Sequence, residues 1–352
     1  MKVKTKKNYF LFFCVLFFQN SSNARSLHRT EHQTIPHITV CWSDDRKEKA
    51  CLRDSHLEQY PLFELFDKHY FEEHLIPDVT ITPRNNKKNM VQGKQLKEHL
   101  EVLLREIKTK KKKYTHFELL TDKNFNRHKR AGMLILRYKH GPYIIKASIE
   151  TPQSFIDPFC KGLDNVWFFP MGGGINRHLA GLTRVKNQEN VKRKLSLDPY
   201  WNEKVDVPRK WYWLPESPRW LVINGDNIGP KKKQSIEIPG AYAIIADAID
   251  VERELELHNE DDTQLALNLC NYLEHAVDAH INNFVVEKET KKVVIIDTEH
   301  FLSVIGIKEK VHVDSYFDWY MYLIKKCGNA WFFRTKKERL AAQERSDTIK
   351  LV

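Results

Sequence analysis

Cysteine is scarce in this chain, six residues in 352. Cys14 lies in the first apolar run. The other five (Cys41, Cys51, Cys160, Cys270, Cys327) are too few and too scattered for a disulfide scaffold. Cys41 and Cys51 flank the charged segment 44–49, which leaves a local bridge between them open. Long hydrophobic runs are missing as well: the apolar stretch 9–18 is well short of the roughly 20 residues a membrane-spanning helix needs. No Gly-Lys-Ser or Gly-Lys-Thr occurs, which excludes a Walker phosphate loop. No internal repeat is evident. The lysine runs at 110–113 and 231–233 have few aromatics between them, so they read as solvated loops, and no specific nucleic acid is expected.

What is present is a chain 41% hydrophobic and 11% aromatic, enough to bury a core and to exclude disorder throughout. The net charge of +11 favours anionic partners such as nucleotides, phospholipid surfaces or acidic proteins. Lys2, Lys4, Lys6 and Lys7 precede the apolar run 9–18, and Ser22-Asn23-Ala24 offers small residues for cleavage. That pattern predicts a secretory signal peptide over 1–24 and no transmembrane segment after processing. The expectation is a secreted or periplasmic protein, with delivery into another cell as one destination.

Residues 25–114 read as a mostly helical N-terminal extension: a short strand at 38–42, then helices over 57–75 and 90–109. The period shifts toward two in 115–247, a β-rich region. Strands at 132–137 and 143–150 meet at His140-Gly141-Pro142, and the second carries Lys146. A helix over 175–195 contains one acid, Glu189. Gly172-Gly173-Gly174 ahead of it reads as a helix entry, with an anion site near Asn176 and Arg177 left open. Further strands fall at 220–224 and 242–245, the latter running into Ala246. Residues 248–352 read as mainly helical: a helix capped by Asp262 and lined by Leu265, Leu269, Leu273 and Val277, then helices over 312–326 and 336–346.

Between those helices lies the most informative stretch. Asp278-Ala279-His280-Ile281-Asn282-Asn283 is followed by an apolar strand, a charged turn at 288–292, and Val293-Val294-Ile295-Ile296-Asp297-Thr298-Glu299. Asp278, Asn283 and Asp297 therefore sit at the ends of one hairpin. Their hard oxygens are the set that phosphoryl transfer needs around Mg²⁺.

This arrangement resembles the catalytic and metal loops of the protein-kinase-like superfamily, most closely its aminoglycoside-phosphotransferase-like and lipid-kinase-like branches. The step from Asp278 to Asn283 equals that of the kinase signature Asp-x-x-x-x-Asn. The resemblance implies an α+β, two-lobed protein-kinase-like fold, with an antiparallel-sheet N-lobe and a mostly helical C-lobe. It implies ATP and Mg²⁺ as cofactors, and an acceptor that could be a small molecule, a lipid headgroup or a protein. Carried over, Asp278 is the base or hydroxyl-orienting group, braced by His280, while Asn283 and Asp297 hold Mg²⁺. Lys146 contacts the nucleotide phosphates, Glu189 is its helix partner, and Ala246 lies by the adenine.

The chain departs from the family in several places. No glycine loop precedes Lys146, Ala276-Val277 stand where His-Arg is usual, and Thr298-Glu299 follow Asp297 instead of Phe-Gly. Only 55 residues follow Asp297, too few for the peptide platform of a Ser/Thr/Tyr kinase. Two other readings stay open: a catalytically silent kinase-like binding module, and a divalent-metal hydrolase using Asp278, His280, Asp297 and His300.

Overall fold

The structure is a computed structural model that describes residues 37–53, 66–84, 90–156, 173–228, 231–305 and 311–332. The signal segment, residues 57–65 of the expected 57–75 helix, Gly172 and the 336–346 helix lie outside these residues. In chain order the elements begin with β1 (His37–Trp42), β2 (Lys49–Arg53), α1 (Lys68–Glu73), β3 (Thr80–Ile81), β4 (Val91–Gln92) and α2 (Gly93–Lys108). Three strands follow: β5 (Phe117–Asn126), β6 (Ala131–Tyr138) and β7 (Tyr143–Ile149). Next come α3 (Pro152–Ile156), α4 (Gly173–Gly181), α5 (Arg184–Ser196) and α6 (Pro199–Lys204). Strands β8 (Val205–Asp206), β9 (Lys210–Trp213), β10 (Trp220–Ile228), β11 (Lys233–Pro239), β12 (Ala241–Asp247) and β13 (Val251–Glu254) lead to α7 (Glu260–Tyr272). The chain then runs through a single 3₁₀ turn (Ile281–Asn283) into β14 (Phe284–Glu287), β15 (Val293–Ile295), α8 (Phe301–Ile305) and α9 (Tyr316–Phe332). The class is α+β, with mainly antiparallel sheets and no described helix long and apolar enough to cross a membrane.

The central feature is a five-stranded antiparallel sheet in the order β5-β6-β7-β12-β9. Because side chains alternate along a strand, its two faces have different partners. On one face Leu134, Leu136, Tyr143, Ile145 and Ile245 meet the apolar stripe of α2, formed by Leu96, Leu100, Leu103, Leu104 and Ile107. That stripe follows the helical i, i+3, i+4 spacing, which is why this segment helicises and docks. The opposite face presents Tyr212, Tyr242 and Ile244 to Leu179, Leu182 and Val185 of the α4–α5 region. A third core gathers α7, β14, β15 and α9 around Phe284, Ile295 and Trp319.

Three expectations change on contact with the fold. The N-terminal region is less separate than expected: the strand expected at 38–42 is β1, and it pairs with both β2 and the distant β10 in a four-stranded sheet, β11-β10-β1-β2. Cys41 and Cys51 are free thiols. They lie on paired strands but out of register, with Cys51 opposite Thr39 and Cys41 opposite Lys49. Finally, Asp262 does not cap its helix. Asn259 does, accepting from Asp262 N at 3.2 Å, while the Asp262 carboxylate pairs with Arg253 at 2.7 Å.

Candidate functional site

The register of the five-stranded sheet sets the floor of the site. Lys146 stands opposite Ile244, and Ala246 stands between Ile144 on one side and Lys210 on the other. Cross-strand partners share a face, so Lys146, Lys210 and Ala246 all project toward the α5 side. Ala246 is half-buried there, beside both lysines.

Asp297 arrives from the end of the β14–β15 hairpin, whose mouth is closed by a bond from Ile296 N to Asn283 O at 2.9 Å. Its Oδ2 accepts from Lys146 Nζ at 2.8 Å, joining residues 151 positions apart. Its Oδ1 accepts from Arg184 Nε at 2.8 Å, and the Arg184 guanidinium also pairs with Glu299. The surrounding cations, Arg184 foremost, hold the Asp297 carboxyl well below the usual range, so it carries a full negative charge. Burial pushes the Lys146 ammonium below its ordinary value despite the Asp297 charge. Lys210 donates to two neutral oxygens, Thr298 Oγ1 at 2.6 Å and Ile296 O at 3.3 Å. Burial, with Lys146 and Arg184 nearby, lowers its pKa strongly. The result is three basic side chains gathered around the Asp297 carboxylate, which still exposes a quarter of its side chain.

Arg184 is placed by its backbone neighbours. The chain turns at Leu182-Thr183 between α4 and α5, and two buried tyrosines on the sheet satisfy carbonyls near that turn. Tyr212 Oη donates to Leu182 O at 2.6 Å and Tyr242 Oη to His178 O at 2.5 Å. These are helix-end acceptors with no intrahelical partner. Gly181 lets Tyr242 approach so closely, since a Cβ there would stand 2.1 Å from its hydroxyl. Asn187, one turn on, donates to Ala276 O at 2.9 Å and Thr298 O at 3.0 Å, tying α5 to both loops of the site.

Asp278 is half-buried, and its Oδ1 accepts from His280 N at 3.1 Å. Burial, with smaller contributions from Glu299 and Asp297, pushes its carboxyl up to about 7. Asn283 Nδ2 donates to Asp278 O at 3.2 Å, so the two ends of the loop are held together. His280 is exposed and caps the 3₁₀ turn, its Nδ1 accepting from Asn282 N at 3.3 Å.

Glu189 is a correction. It does not meet Lys146; it accepts from Tyr70 Oη and pairs with His74 at 3.2 Å, tying α5 to the α1 region. It lies five residues from Arg184, roughly 140° around the helix at 3.6 residues per turn. The face of α5 that reaches Asp297 therefore carries a cation. Arg177 is likewise committed, to Glu150; of the glycines preceding it, Gly173 and Gly174 open α4 and Gly172 lies outside the described residues. The proposed hydrolase ligands do not assemble: Asp278, His280, Asp297 and His300 form no three-ligand group, and His300 Nδ1 pairs with Ser303 Oγ at 2.6 Å.

Arg184, Lys210 and Asn187 are the site residues that sequence reasoning missed. Lys210 carried one local signal, a lysine starting the aromatic strand Lys-Trp-Tyr-Trp. Arg184 carried none, because a basic residue opening a basic helix looks like solvated surface. No protein-family model matches the chain, and no curated protein matches it either.

Proposed function

We propose that the chain is a kinase-like nucleotide phosphotransferase with a two-lobed arrangement, in which the five-stranded sheet forms the small lobe and the β14–β15 hairpin with α7 and α9 forms the core of the other. The observation that carries this reading is the 2.8 Å pair between Lys146 and Asp297. Support also comes from order: Lys146 lies on the third strand of the sheet, as the phosphate-binding lysine of protein kinases does, and a helix follows it.

The residues fit the phosphates of a nucleotide. Lys146, Arg184 and Lys210 supply positive charge in a partly water-excluded place, and phosphate is the anion that arginine forks suit. They fit Mg²⁺ in donor chemistry, since Asn283 and Asp297 offer hard oxygens. Both Asp297 oxygens are engaged by cations, so Lys146 or Arg184 must yield for a metal to reach them. When bound, the metal would neutralise charge on the transferred phosphoryl group. Asp278 accepts the acceptor hydroxyl's proton on its carboxylate, and its pKa of about 7 suits a base working at neutral pH.

A second reading has its own observation. Kinases that turn over hold the strand lysine on a helix glutamate, whereas here α5 offers Arg184 and the lysine rests on Asp297. That favours a silent nucleotide-binding module. Export of the chain, on the evidence of its first 24 residues, sharpens the choice, because a secreted phosphotransferase needs a destination that holds ATP. Thermal-shift titration of the full chain with ATP, with and without Mg²⁺, tests the core of both. The expected result is a rise in melting temperature that Lys146→Ala abolishes and Asp278→Asn preserves. Turnover lost in Asp278→Asn makes it an enzyme; nucleotide binding without turnover in the wild type makes it a module. No shift with any nucleotide in the wild type sinks both.

A further inference from the structure

Three histidines that play no part in that reading meet on the α2 side of the sheet. We propose that His99, His116 and His140 form a binding site for a borderline divalent transition-metal ion, with Zn²⁺ as the type. One ligand atom from each lies within 4.8 Å of the other two.

The three come from different elements: His99 from α2, His116 from the segment just before β5, and His140 from the turn between β6 and β7. The last two are fixed by the strand pairing, since Lys139 N donates to His116 O at 3.0 Å. His116 Nδ1 and His140 Nε2 stand 3.0 Å apart, so one must carry a proton that the other accepts. Two imidazole nitrogens on a tetrahedral zinc, each at 2.0–2.1 Å, stand about 3.3 Å apart. Replacing the shared proton by an ion therefore needs little movement between them.

His99 has the outer support that metal-binding histidines usually show. Its Nδ1 meets Tyr138 Oη at 2.8 Å, leaving Nε2 as the ligand atom. Tyr138 is buried and its phenol is pushed up to about 12, so it stays neutral. Burial and the mutual proximity of the rings lower the pKa of His99 and His116, with Glu98 and Glu106 opposing and Lys139 assisting at His116. This disfavours the protonated form of His99 and His116, the form that has no lone pair to offer a metal. The His99 and His116 rings now stack at 3.6 Å and 7°, and parallel rings cannot both aim lone pairs at one ion. Binding therefore turns one of these half-exposed rings out of the stack. Three imidazoles with a fourth position open to water select zinc-like ions over Mg²⁺ or Ca²⁺. The ion would fasten α2 to the strand ends of the sheet it covers.

The test uses the full chain and Zn²⁺ itself, read by thermal shift and by competition with a chromophoric chelator. The expected result is one Zn²⁺ bound per chain, a raised melting temperature reversed by EDTA, and no comparable effect of Mg²⁺. Both the stoichiometric binding and the shift should vanish in His140→Ala and in His99→Gln. Because His140 is exposed on a turn, its variant should melt like the wild type without metal. Co²⁺ should give the visible absorption of a tetrahedral site in the wild type alone. Zinc binding that persists in both variants would place the ion among others of the chain's 16 histidines and overturn the proposal. So would the absence of any zinc-dependent stabilisation in the wild type.

Discussion

Arg184 decides what the site can do, because its guanidinium bridges Asp297 and Glu299, the two carboxylates that follow β15. With only 6% of its side chain exposed, it is a built-in cation where the kinase-like reading requires an external one. Removing one partner of such a buried group commonly costs about 3–5 kcal/mol, because the remaining charges lose their counter-ion. Arg184→Ala should therefore lower the melting temperature markedly, and Mg²⁺ should restore part of the loss by occupying the vacated place between the carboxylates. The wild type should respond to Mg²⁺ less than the variant does. Equal responses would mean that Arg184 does not stand in for a metal. Gly181 matters at the same scale for a steric reason: in Gly181→Ala the new methyl meets the buried Tyr242 hydroxyl, whose bond to His178 O helps set the turn before Arg184. Overpacking of this kind costs roughly 1–3 kcal/mol, and denaturant unfolding of that variant should show a loss within that range.

At the scale of elements, the short-range signals and the long-range ones separate cleanly. Helix α2 was readable because Leu96, Leu100, Leu103, Leu104 and Ile107 repeat at helical spacing, and all five are buried. Leu100→Ala should cost about 2–5 kcal/mol, whereas Leu197→Ala, at a side chain 77% exposed, should stay within about 0.5 kcal/mol. Comparable losses in both would mean that α2 does not pack as described. Strand β7 was equally readable, down to Lys146, since a lone charge in an apolar run must face a partner or water. Its partner was not readable. The spacing of Asp278, Asn283 and Asp297 suggested a site, but nothing in the local sequence says which face of α5 meets the hairpin. Glu189 was the natural choice as the only acid in its helix, yet the tertiary fold turns it to Tyr70 and His74. The strand at 38–42 was readable too, but the sheet it joins was not, because β1 pairs with β10, which lies more than 150 residues away in the chain.

Across the whole molecule, the site's carboxylates pull stability in opposite directions with pH. Asp297 has a depressed pKa in the folded state, so its contribution is present above the ordinary carboxylate value of 3.8 and is lost only as pH falls through its lower folded pKa. Asp278 has a raised one, from 3.8 to about 7. Between those values the folded chain holds a proton that the unfolded chain has released. This group therefore lowers stability progressively as pH climbs from about 4 to about 7, by at most about 1.4 kcal/mol per pH unit and less for a half-exposed group. Asp278→Asn removes that term while keeping the shape of the side chain. The variant should gain on the wild type as pH rises from 5 to 8, with most of the gain complete by the upper end. Urea midpoints of both proteins at several pH values in this window measure it directly. Parallel curves would mean that Asp278 titrates near its ordinary value, and the same result would remove it as a base tuned for neutral pH.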